Sequence, residues 1–149
     1  MINLENELFG RIDLSKTNYK PLLDYKVLEN PPVDQVQDIY RKYCLYKGFA
    51  SVYPLFPSEW SKTHIDFIGY YDDNELVAFS IFHNYLDGKN VNADQFAWNY
   101  HKPSLKIGYK SLRTECALYK SWGYQYIYMG DHYEYKNQTQ GYEILGPMT

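Results

Sequence analysis

Two stretches of the chain repeat apolar residues at the spacing of a helix. The first runs from about Val33 to Lys47 and is followed by Gly48, a residue type that commonly closes helices. The second begins near Gly108 and stops before Gly123. The apolar faces comprise Val36, Tyr40, Tyr43 and Cys44 in the first stretch, and Tyr109, Leu112, Cys116 and Tyr119 in the second. The pattern therefore predicts two amphipathic helices.

Strands are predicted between and after these helices. The clearest signal is a hairpin, with strands over 65–71 and 76–85 joined by the turn-forming residues Asp72, Asp73 and Asn74. Further strands are expected near 25–28, 93–100, 126–129 and 142–145. The predicted order along the chain is therefore a strand, a helix, a three-stranded meander, a second helix and a final strand. This order predicts an α/β fold, with a mixed, mostly antiparallel central sheet flanked by helices.

The remaining segments fit around this framework. At 149 residues, the chain is expected to form a single domain over 1–149. Residues 1–20 are polar and mixed, which favours an edge strand or a loosely held arm. Residues 50–62 carry two prolines among aromatic side chains, so they form neither a helix nor a central strand. A buried connection is the favoured interpretation of this segment, and a lid over a pocket is the alternative.

Composition and charge narrow the classes of ligand. A net charge of −3 gives no overall attraction to nucleic acid or to an anionic membrane. A polyanion would therefore have to bind to a local cluster of cations. Cys44 and Cys116 lie on apolar helix faces and are expected to be thiols in a reducing compartment, and no Cys/His cluster predicts a metal. With no signal-peptide pattern and no apolar span, the sequence predicts a cytoplasmic protein without a membrane partner. Aromatic residues make up 19% of the chain, and those exposed on the meander favour a homodimer.

One basic segment carries a pattern for anion binding. Four cations, Lys102, Lys106, Lys110 and Arg113, occur without an intervening acid. Gly108 lies among them at the predicted helix start, where free N–H groups and the helix dipole attract anions. A phosphate-bearing ligand is therefore predicted, and the alternative is a solvated cationic surface. The residues expected to bind the ligand here are Lys106, Ile107, Gly108, Tyr109, Lys110 and Ser111.

The order of elements, with a basic glycine-containing loop after the meander, resembles the GNAT acyltransferase superfamily. In that family the loop binds the coenzyme A pyrophosphate through Arg or Gln, two residues, Gly, one residue, and then Gly or Ala. Gly108 matches the first glycine, whereas Leu105 replaces the Arg or Gln and Lys110 replaces the second small residue. The resemblance implies a GNAT-like fold, with coenzyme A or acetyl-CoA as the substrate and no metal.

Residues 65–145 also resemble the C-terminal domain of the arginyl and leucyl aminoacyl-tRNA–protein transferases. In those proteins a Leu-Gly pair opens a helix, and a strand with the motif Tyr-x-Tyr-Leu/Met-Gly follows it. Here Ile107-Gly108 matches the pair and the run 126–130 matches the strand motif, at the same separation in sequence. Tyr135-Lys136 matches a later Tyr-Lys pair, while the run 141–143 keeps only the tyrosine of a Tyr-Arg-Pro segment. This resemblance implies an aminoacyl-tRNA donor and a protein N-terminal amine as the acceptor.

Acyl transfer to an amine needs a proton acceptor and donors that hold the carbonyl oxygen as charge develops. In a GNAT-like fold the acyl group lies where two neighbouring strands splay apart, here 93–100 and 126–130. Backbone N–H groups from Trp98 to Tyr100 are expected to hold its carbonyl. The candidate catalytic residues are Asp94 and Asp131 as proton acceptors, directly or through a water, His132 as a proton relay, and Tyr135, with Tyr133 as its alternative, as general acid.

The predicted function is direct transfer of an acyl group from acyl-CoA to an amine, which belongs either to a small molecule or to a protein N-terminus. No nucleophile motif indicates a covalent intermediate. Two alternatives stay open: transfer from an aminoacyl-tRNA to protein N-termini, and a non-catalytic binding protein that keeps the GNAT fold. Each candidate carboxylate also has a simpler interpretation as a solvated group at a strand end.

Overall fold

Seven strands in one sheet and two long helices form the described part of the chain, residues 8–131 and 138–146, in a computed structural model. The strands are β1 (Phe9–Asp13), β2 (Asp24–Val27), β3 (Ile65–Asp72), β4 (Glu75–Asn84), β5 (Asn90–Trp98), β6 (Tyr126–Asp131) and β7 (Tyr142–Leu145), and the helices are α1 (Val33–Lys47) and α2 (Ile107–Ser121). The strand order is β2-β3-β4-β5-β6-β1-β7. Only the β5–β6 pair among these is parallel, so the sheet is mixed and mostly antiparallel, as predicted.

Two apolar clusters lie on opposite faces of this sheet. Neighbouring residues of a strand point to opposite faces, so Phe82 of β4 packs with Tyr119 of α2, while Phe79 packs in the cluster that contains Val36 of α1. All four of these side chains are essentially inaccessible to solvent. Because each buried side chain of this size contributes about 1.5–3 kcal/mol, both helices are held to the sheet by their apolar faces.

The predicted hairpin is confirmed, and its turn has a clear local cause. Asp73 and Asn74 both adopt left-handed backbone conformations, with φ of 50° and 65°. Asn and Asp tolerate this region better than other non-glycine residues, and two consecutive positive φ values suit a tight hairpin turn. The turn therefore fixes the register of β3 against β4 along most of their length.

The third meander strand is displaced from its predicted position. It was expected near 93–100, but β5 covers Asn90–Trp98. The Asp87 carboxylate accepts hydrogen bonds from the backbone N–H groups of Lys89 and Asn90, so the preceding turn closes earlier than the apolar pattern indicates. Tyr100 lies beyond the strand, in a left-handed conformation with φ of 57°.

The N-terminal region also differs from its predicted place at a sheet edge. Strand β1 pairs with β6 on one side and with β7 on the other. Ile12 and Leu14 are fully buried in the core on the α2 face. Long-range pairing of this kind is not visible in a short polar segment, which explains the difference. No helix within 8–131 and 138–146 is long and apolar enough to cross a membrane.

Candidate functional site

Strands β5 and β6 separate after three paired residues. Their parallel pairing joins Asn90–Asn92 to Tyr126–Tyr128, and β5 then continues to Trp98 without a partner on that side among the described residues. At the same place a β-bulge leaves Asp94 without a counterpart in β4. A bulge bends the strand that carries it. The two strands therefore diverge and open a wedge in the sheet.

Backbone donors of β5 face this wedge. The N–H of Asn99 donates to the Val77 carbonyl oxygen of the neighbouring chain segment at 3.0 Å. Because donors alternate along an antiparallel strand, the N–H groups of Phe96 and Trp98 point away from β4. They point to the side where β6 has left the sheet. These two groups are thus the donors available to a carbonyl oxygen in the wedge.

The α2 N-terminus lies beside the wedge and has no side-chain cap. Its cap residue, Lys106, adopts a left-handed conformation with φ of 51°, and its carbonyl oxygen accepts the first helical hydrogen bond, from Lys110 N–H at 3.0 Å. The N–H groups of Ile107, Gly108 and Tyr109 therefore have no acceptor within the helix. Open N–H groups and the positive end of the dipole together favour an anion.

The four cations of the basic segment are not equivalent. Lys102 pairs with Asp72 at 3.0 Å and with Asp73 at 3.5 Å, two acids from the β3–β4 turn that the local sequence does not reveal. Arg113 stacks on the Tyr109 ring, with 3.4 Å from its guanidinium carbon to the ring centroid. Lys106 and Lys110 form no ion pair with any described residue. Arg113 also forms no ion pair with a described residue, so three of the four cations are left for a phosphate.

A cleft of about 550 Å³ lies between the wedge and α2; we call it the α2-side cleft. Strands β4, β5 and β6, helix α2 and the described residues before β7 all contribute to its wall. The residues that matter for its chemistry are Ser80, Asp94, Phe96, Gly108, Ser111 and Glu115. One wall of the cleft thus offers backbone N–H donors to a ligand, and another wall offers the N-terminus of α2.

Glu115 is a buried acid on the wall of the α2-side cleft. Only 5% of its surface is exposed, and its Oε2 accepts hydrogen bonds from the Tyr70 hydroxyl and from Ser80 Oγ, the latter at 2.5 Å. Burial raises the pKa of Glu115 to about 7, against the opposing effect of the two hydrogen bonds. Burial, and then the nearby Glu115, raise the pKa of Tyr70 well above its ordinary value.

Glu115 is a site residue that was not predicted, although the sequence carries a signal for it. Glu115 follows Leu112 by three residues and precedes Tyr119 by four, so it lies on the apolar face of α2. An acid on such a face needs a polar partner inside the protein. Tyr70 and Ser80, which supply it, are distant in sequence and could not be identified in advance.

A second cleft, of about 280 Å³, lies on the opposite face of the sheet, and we call it the α1-side cleft. Segment 50–62 forms one wall of it, and the rings of His64 and His83, 5.1 Å apart, form another. Trp60 anchors the segment because its side chain is 4% exposed. Asp94 and Gln95 line both clefts, so the bulge of β5 is where the two spaces meet.

The predicted catalytic residues fall in different places. Asp94 is exposed at the bulge, where its Oδ1 accepts a hydrogen bond from Asn92 Nδ2 at 2.7 Å. Asp131 is the last residue of β6, and its backbone pairs with Phe9. The candidates His132, Tyr133 and Tyr135 lie outside the described residues.

The predicted ligand-binding residues divide into three groups. Lys106 and Lys110 lie at the start of α2 but do not line the α2-side cleft, whereas Arg113 does. Gly108, Tyr109 and Ser111 line the α2-side cleft, and Ile107 is buried directly at the helix start. Trp98 and Tyr100 line neither cleft, and their rings pack against each other at a tilt of 36°, with centroids 4.1 Å apart. Of these two residues, Trp98 contributes to the wedge, and it does so through its backbone N–H alone. Across 8–131 and 138–146, no group of His, Cys, Asp and Glu side chains could hold a metal ion.

Solved structures of GNAT-like proteins share this fold. The C-terminal DUF2156 domain of a protein described as a lysylphosphatidylglycerol synthetase from Agrobacterium fabrum matches with TM-score 0.68 and 13% identity, over 84% of this chain and 46% of its own. A GCN5-related N-acetyltransferase from Anabaena variabilis matches with TM-score 0.60 and 12% identity, over 94% of this chain and 38% of its own. An N-myristoyltransferase from Saccharomyces cerevisiae with bound myristoyl-CoA matches with TM-score 0.50 and 11% identity, over 83% and 41%.

These likenesses establish a GNAT-like fold for the chain, which spans less than half the length of each of the three structures. No protein-family model and no curated protein sequence matches the chain. The fold is therefore established by geometry, and the two clefts are the parts of the structure that indicate its chemistry.

Proposed function

We propose that this protein transfers an acyl group from an acyl-CoA, with acetyl-CoA as the first donor to test, directly to an amine. One observation carries the proposal: β5 leaves β6 beside an uncapped helix N-terminus. The wedge supplies donors for a carbonyl oxygen, and the helix supplies donors for a phosphate. Both are needed to hold an acyl-CoA, which has a thioester at one end and a pyrophosphate near the other.

The α2-side cleft is the proposed donor site. The pyrophosphate binds the N–H groups of Ile107, Gly108 and Tyr109, and Lys106 and Lys110 add charge there. A Cβ at Gly108 would come no closer than 3.9 Å to Phe96, so the glycine is not required by packing within the protein. The thioester carbonyl accepts from the Phe96 N–H group. Such preorganised donors stabilise the oxygen as negative charge develops on it.

The α1-side cleft is the proposed acceptor site. It meets the donor site at Asp94, which can take a proton from the amine directly or through water. The amine nitrogen then attacks the carbonyl carbon, the new C–N bond forms, and the C–S bond breaks. Coenzyme A leaves as a thiolate and is protonated, a step for which Tyr135 stays the predicted donor.

A second candidate function is transfer from an aminoacyl donor such as aminoacyl-tRNA. Two observations favour it: the buried Glu115 beside the wedge, and the fold shared with a protein whose name denotes the attachment of a lysyl group to phosphatidylglycerol. The third alternative is a non-catalytic binding protein. It would bind a ligand in the α2-side cleft and release no product.

Two measurements separate these functions. Isothermal titration with coenzyme A and acetyl-CoA tests the donor site, and release of free thiol from acetyl-CoA in the presence of a panel of amines tests transfer. An acyl-CoA transferase binds coenzyme A and releases thiol only when an amine is present. Binding without thiol release supports the binding protein. Failure to bind coenzyme A, together with retention of charged tRNA in a gel-shift assay, supports the aminoacyl branch.

A further inference from the structure

Strand β2 forms one edge of the sheet, and its outer side is open. All four of its residues are exposed, and β3 is its one neighbour among the described strands. The Leu28 N–H donates to the Phe67 carbonyl oxygen at 2.8 Å, and backbone groups alternate in direction along an antiparallel strand. The N–H and C=O groups of Tyr25 and Val27 therefore point away from β3. Such an edge can pair with another strand.

The two faces of β2 differ in chemistry. Asp24 and Lys26 lie on one face, where the Lys26 ammonium is 4.8 Å from the centroid of the Tyr71 ring. Neither of these charged residues forms an ion pair with a described residue. On the other face, Tyr25 and Val27 are 38% and 50% exposed. The strand therefore presents one anion, one cation and two apolar side chains to solvent.

The sequence of β2 is complementary to itself in the antiparallel direction. If two copies pair about a two-fold axis through Tyr25, each Asp24 lies opposite Lys26 of the second copy. Opposite charges directly across two antiparallel strands stabilise the pair, whereas like charges destabilise it. The neighbouring registers that keep the backbone hydrogen bonds place Asp24 opposite Asp24, or Lys26 opposite Lys26. The charges of β2 thus select the register in which the outward N–H and C=O groups of Tyr25 bond those of its counterpart.

We propose that the protein forms a symmetric dimer in which the β2 strands of two copies pair antiparallel and join the two sheets into one. A lysine on an edge strand commonly blocks such pairing, but here Asp24 of the second copy neutralises Lys26. The opposite edge strand, β7, lacks this match, because its charged residue Glu143 already pairs with Arg11 at 2.9 Å. Each copy uses its β2 edge once, so assembly stops at the dimer.

The location and length of β2 determine the properties of this dimer. Neither the α2-side cleft nor the α1-side cleft is lined by a residue of β2, so both stay accessible in each copy. The interface differs from the meander surface, where the aromatic content favoured a homodimer. Because the strand has only 4 residues, the interface is small, and we expect a dissociation constant in the micromolar range.

Charge reversal in β2 tests the pairing. Asp24→Lys places two lysines opposite each other, and Lys26→Asp places two aspartates opposite each other. Each variant alone should self-associate about tenfold more weakly than wild type in sedimentation velocity. An equal mixture of the two variants restores both opposite-charge pairs, so it should form heterodimers with about the wild-type affinity. Lys20→Asp is the matched control, because it makes the same change in net charge at an exposed residue outside β2 and should leave association unchanged.

A second pair of variants tests the backbone contact. Tyr25→Pro removes the N–H that points outward at the two-fold axis, and the hydrogen bonds to β3 do not use that N–H. This variant should be monomeric at concentrations where wild type is dimeric. Tyr25→Ala loses the same ring but keeps the N–H, so it should associate more tightly than Tyr25→Pro. If Tyr25→Pro unfolds, the charge variants still decide, because they change exposed side chains alone.

Four results would overturn the inference, and none of them depends on the acyl-transfer function. The first is a wild-type protein that stays monomeric at the highest concentration it tolerates. The second is a dimer that forms equally well in Asp24→Lys and Lys26→Asp, because its interface then lies elsewhere. The third is a mixture of these two variants that associates no better than either alone. The fourth is equal association of folded Tyr25→Pro and Tyr25→Ala, which would exclude backbone pairing.

Discussion

The two clefts meet at the same bulge of β5 but differ in chemistry. The α2-side cleft contains an open helix N-terminus and a buried carboxyl, and its polar groups are held by the backbone or by hydroxyl partners. The α1-side cleft is smaller and is walled by a proline-containing segment and two imidazole rings. One side of the sheet thus offers fixed donors and charge, and the other offers an aromatic and apolar enclosure.

This difference has a simple physical basis. Where β5 and β6 are paired, their backbone groups satisfy each other and no site forms. Where they separate, the freed N–H groups face an opening between two helices that pack on opposite faces. A ligand can therefore be held by the backbone from one face while a second molecule approaches from the other. That arrangement suits transfer between two substrates better than hydrolysis of one.

The largest effect expected concerns the buried carboxyl and the pH dependence of stability. The pKa of Glu115 is about 7 in the fold and 4.5 in its ordinary state, so the folded protein holds this proton more tightly. The resulting stabilisation is complete below pH 4.5 and is lost as the pH rises through 7, a change of about 3 kcal/mol. Urea denaturation of wild type and Glu115→Gln across this range measures the difference.

Asp94→Asn is the control for this prediction, because Asp94 is an exposed acid of the same cleft. Its substitution should change the free energy of unfolding by less than about 0.5 kcal/mol at any pH. Parallel stability curves for wild type and Glu115→Gln would show that the carboxyl is not ionising within the fold.

The next effect concerns the backbone donor in the wedge. Phe96→Pro removes the N–H that faces away from β4, so the β4–β5 ladder is kept while the donor is lost. We expect the rate of thiol release from saturating acetyl-CoA to fall about 100-fold, the usual cost of one such donor. Phe96→Ala loses the same ring, which packs near Tyr43, but keeps the N–H. Equal rates in the two variants would exclude a role for the Phe96 N–H.

A smaller effect separates the cations of the basic segment. Lys110→Glu should weaken coenzyme A binding about tenfold or more in isothermal titration, because it reverses a charge beside the open helix end. Lys102→Glu makes the same substitution at a cation already paired with Asp72, and should change affinity less than about twofold. Similar losses in both variants would indicate a general surface charge effect rather than a site.

The smallest effect is expected in the α1-side cleft. His83→Gln removes an imidazole from the wall of the proposed acceptor site while keeping a polar side chain. The KM for the amine should rise about threefold, as for loss of one modest contact, with no change in the dissociation constant of coenzyme A. A changed affinity for coenzyme A with an unaltered KM for the amine would reverse the assignment of the two clefts.

Much of the framework could be predicted from the sequence. The bounds of α1 agree with its apolar repeat, and the hairpin turn follows from Asp73 and Asn74. Helix α2 begins one residue before Gly108, as the local pattern indicates. These features depend on residues that are close together in the sequence, so the sequence pattern alone is enough to predict them.

Other features depend on contacts between distant segments. The ion pair of Lys102 with Asp72 removes one of four apparent ligand cations, and it joins residues thirty positions apart. The sequence places Glu115 on an apolar helix face, but its partners Tyr70 and Ser80 come from β3 and β4 and are brought to it only by the fold. The place of β1 between β6 and β7 likewise depends on pairing across most of the chain. Such contacts leave no local signature in one sequence.

Titration of ¹⁵N-labelled protein with coenzyme A, followed by amide NMR, tests the proposed donor site most directly. If the donor binds in the α2-side cleft, the amide signals of Ile107, Gly108 and Tyr109 shift first and furthest, and that of Phe96 shifts when acetyl-CoA replaces coenzyme A. The signals of His64 and His83, on the opposite face, stay in place. Shifts confined to the α1-side cleft, or none at any of these residues, would contradict the assignment of the wedge as the donor site.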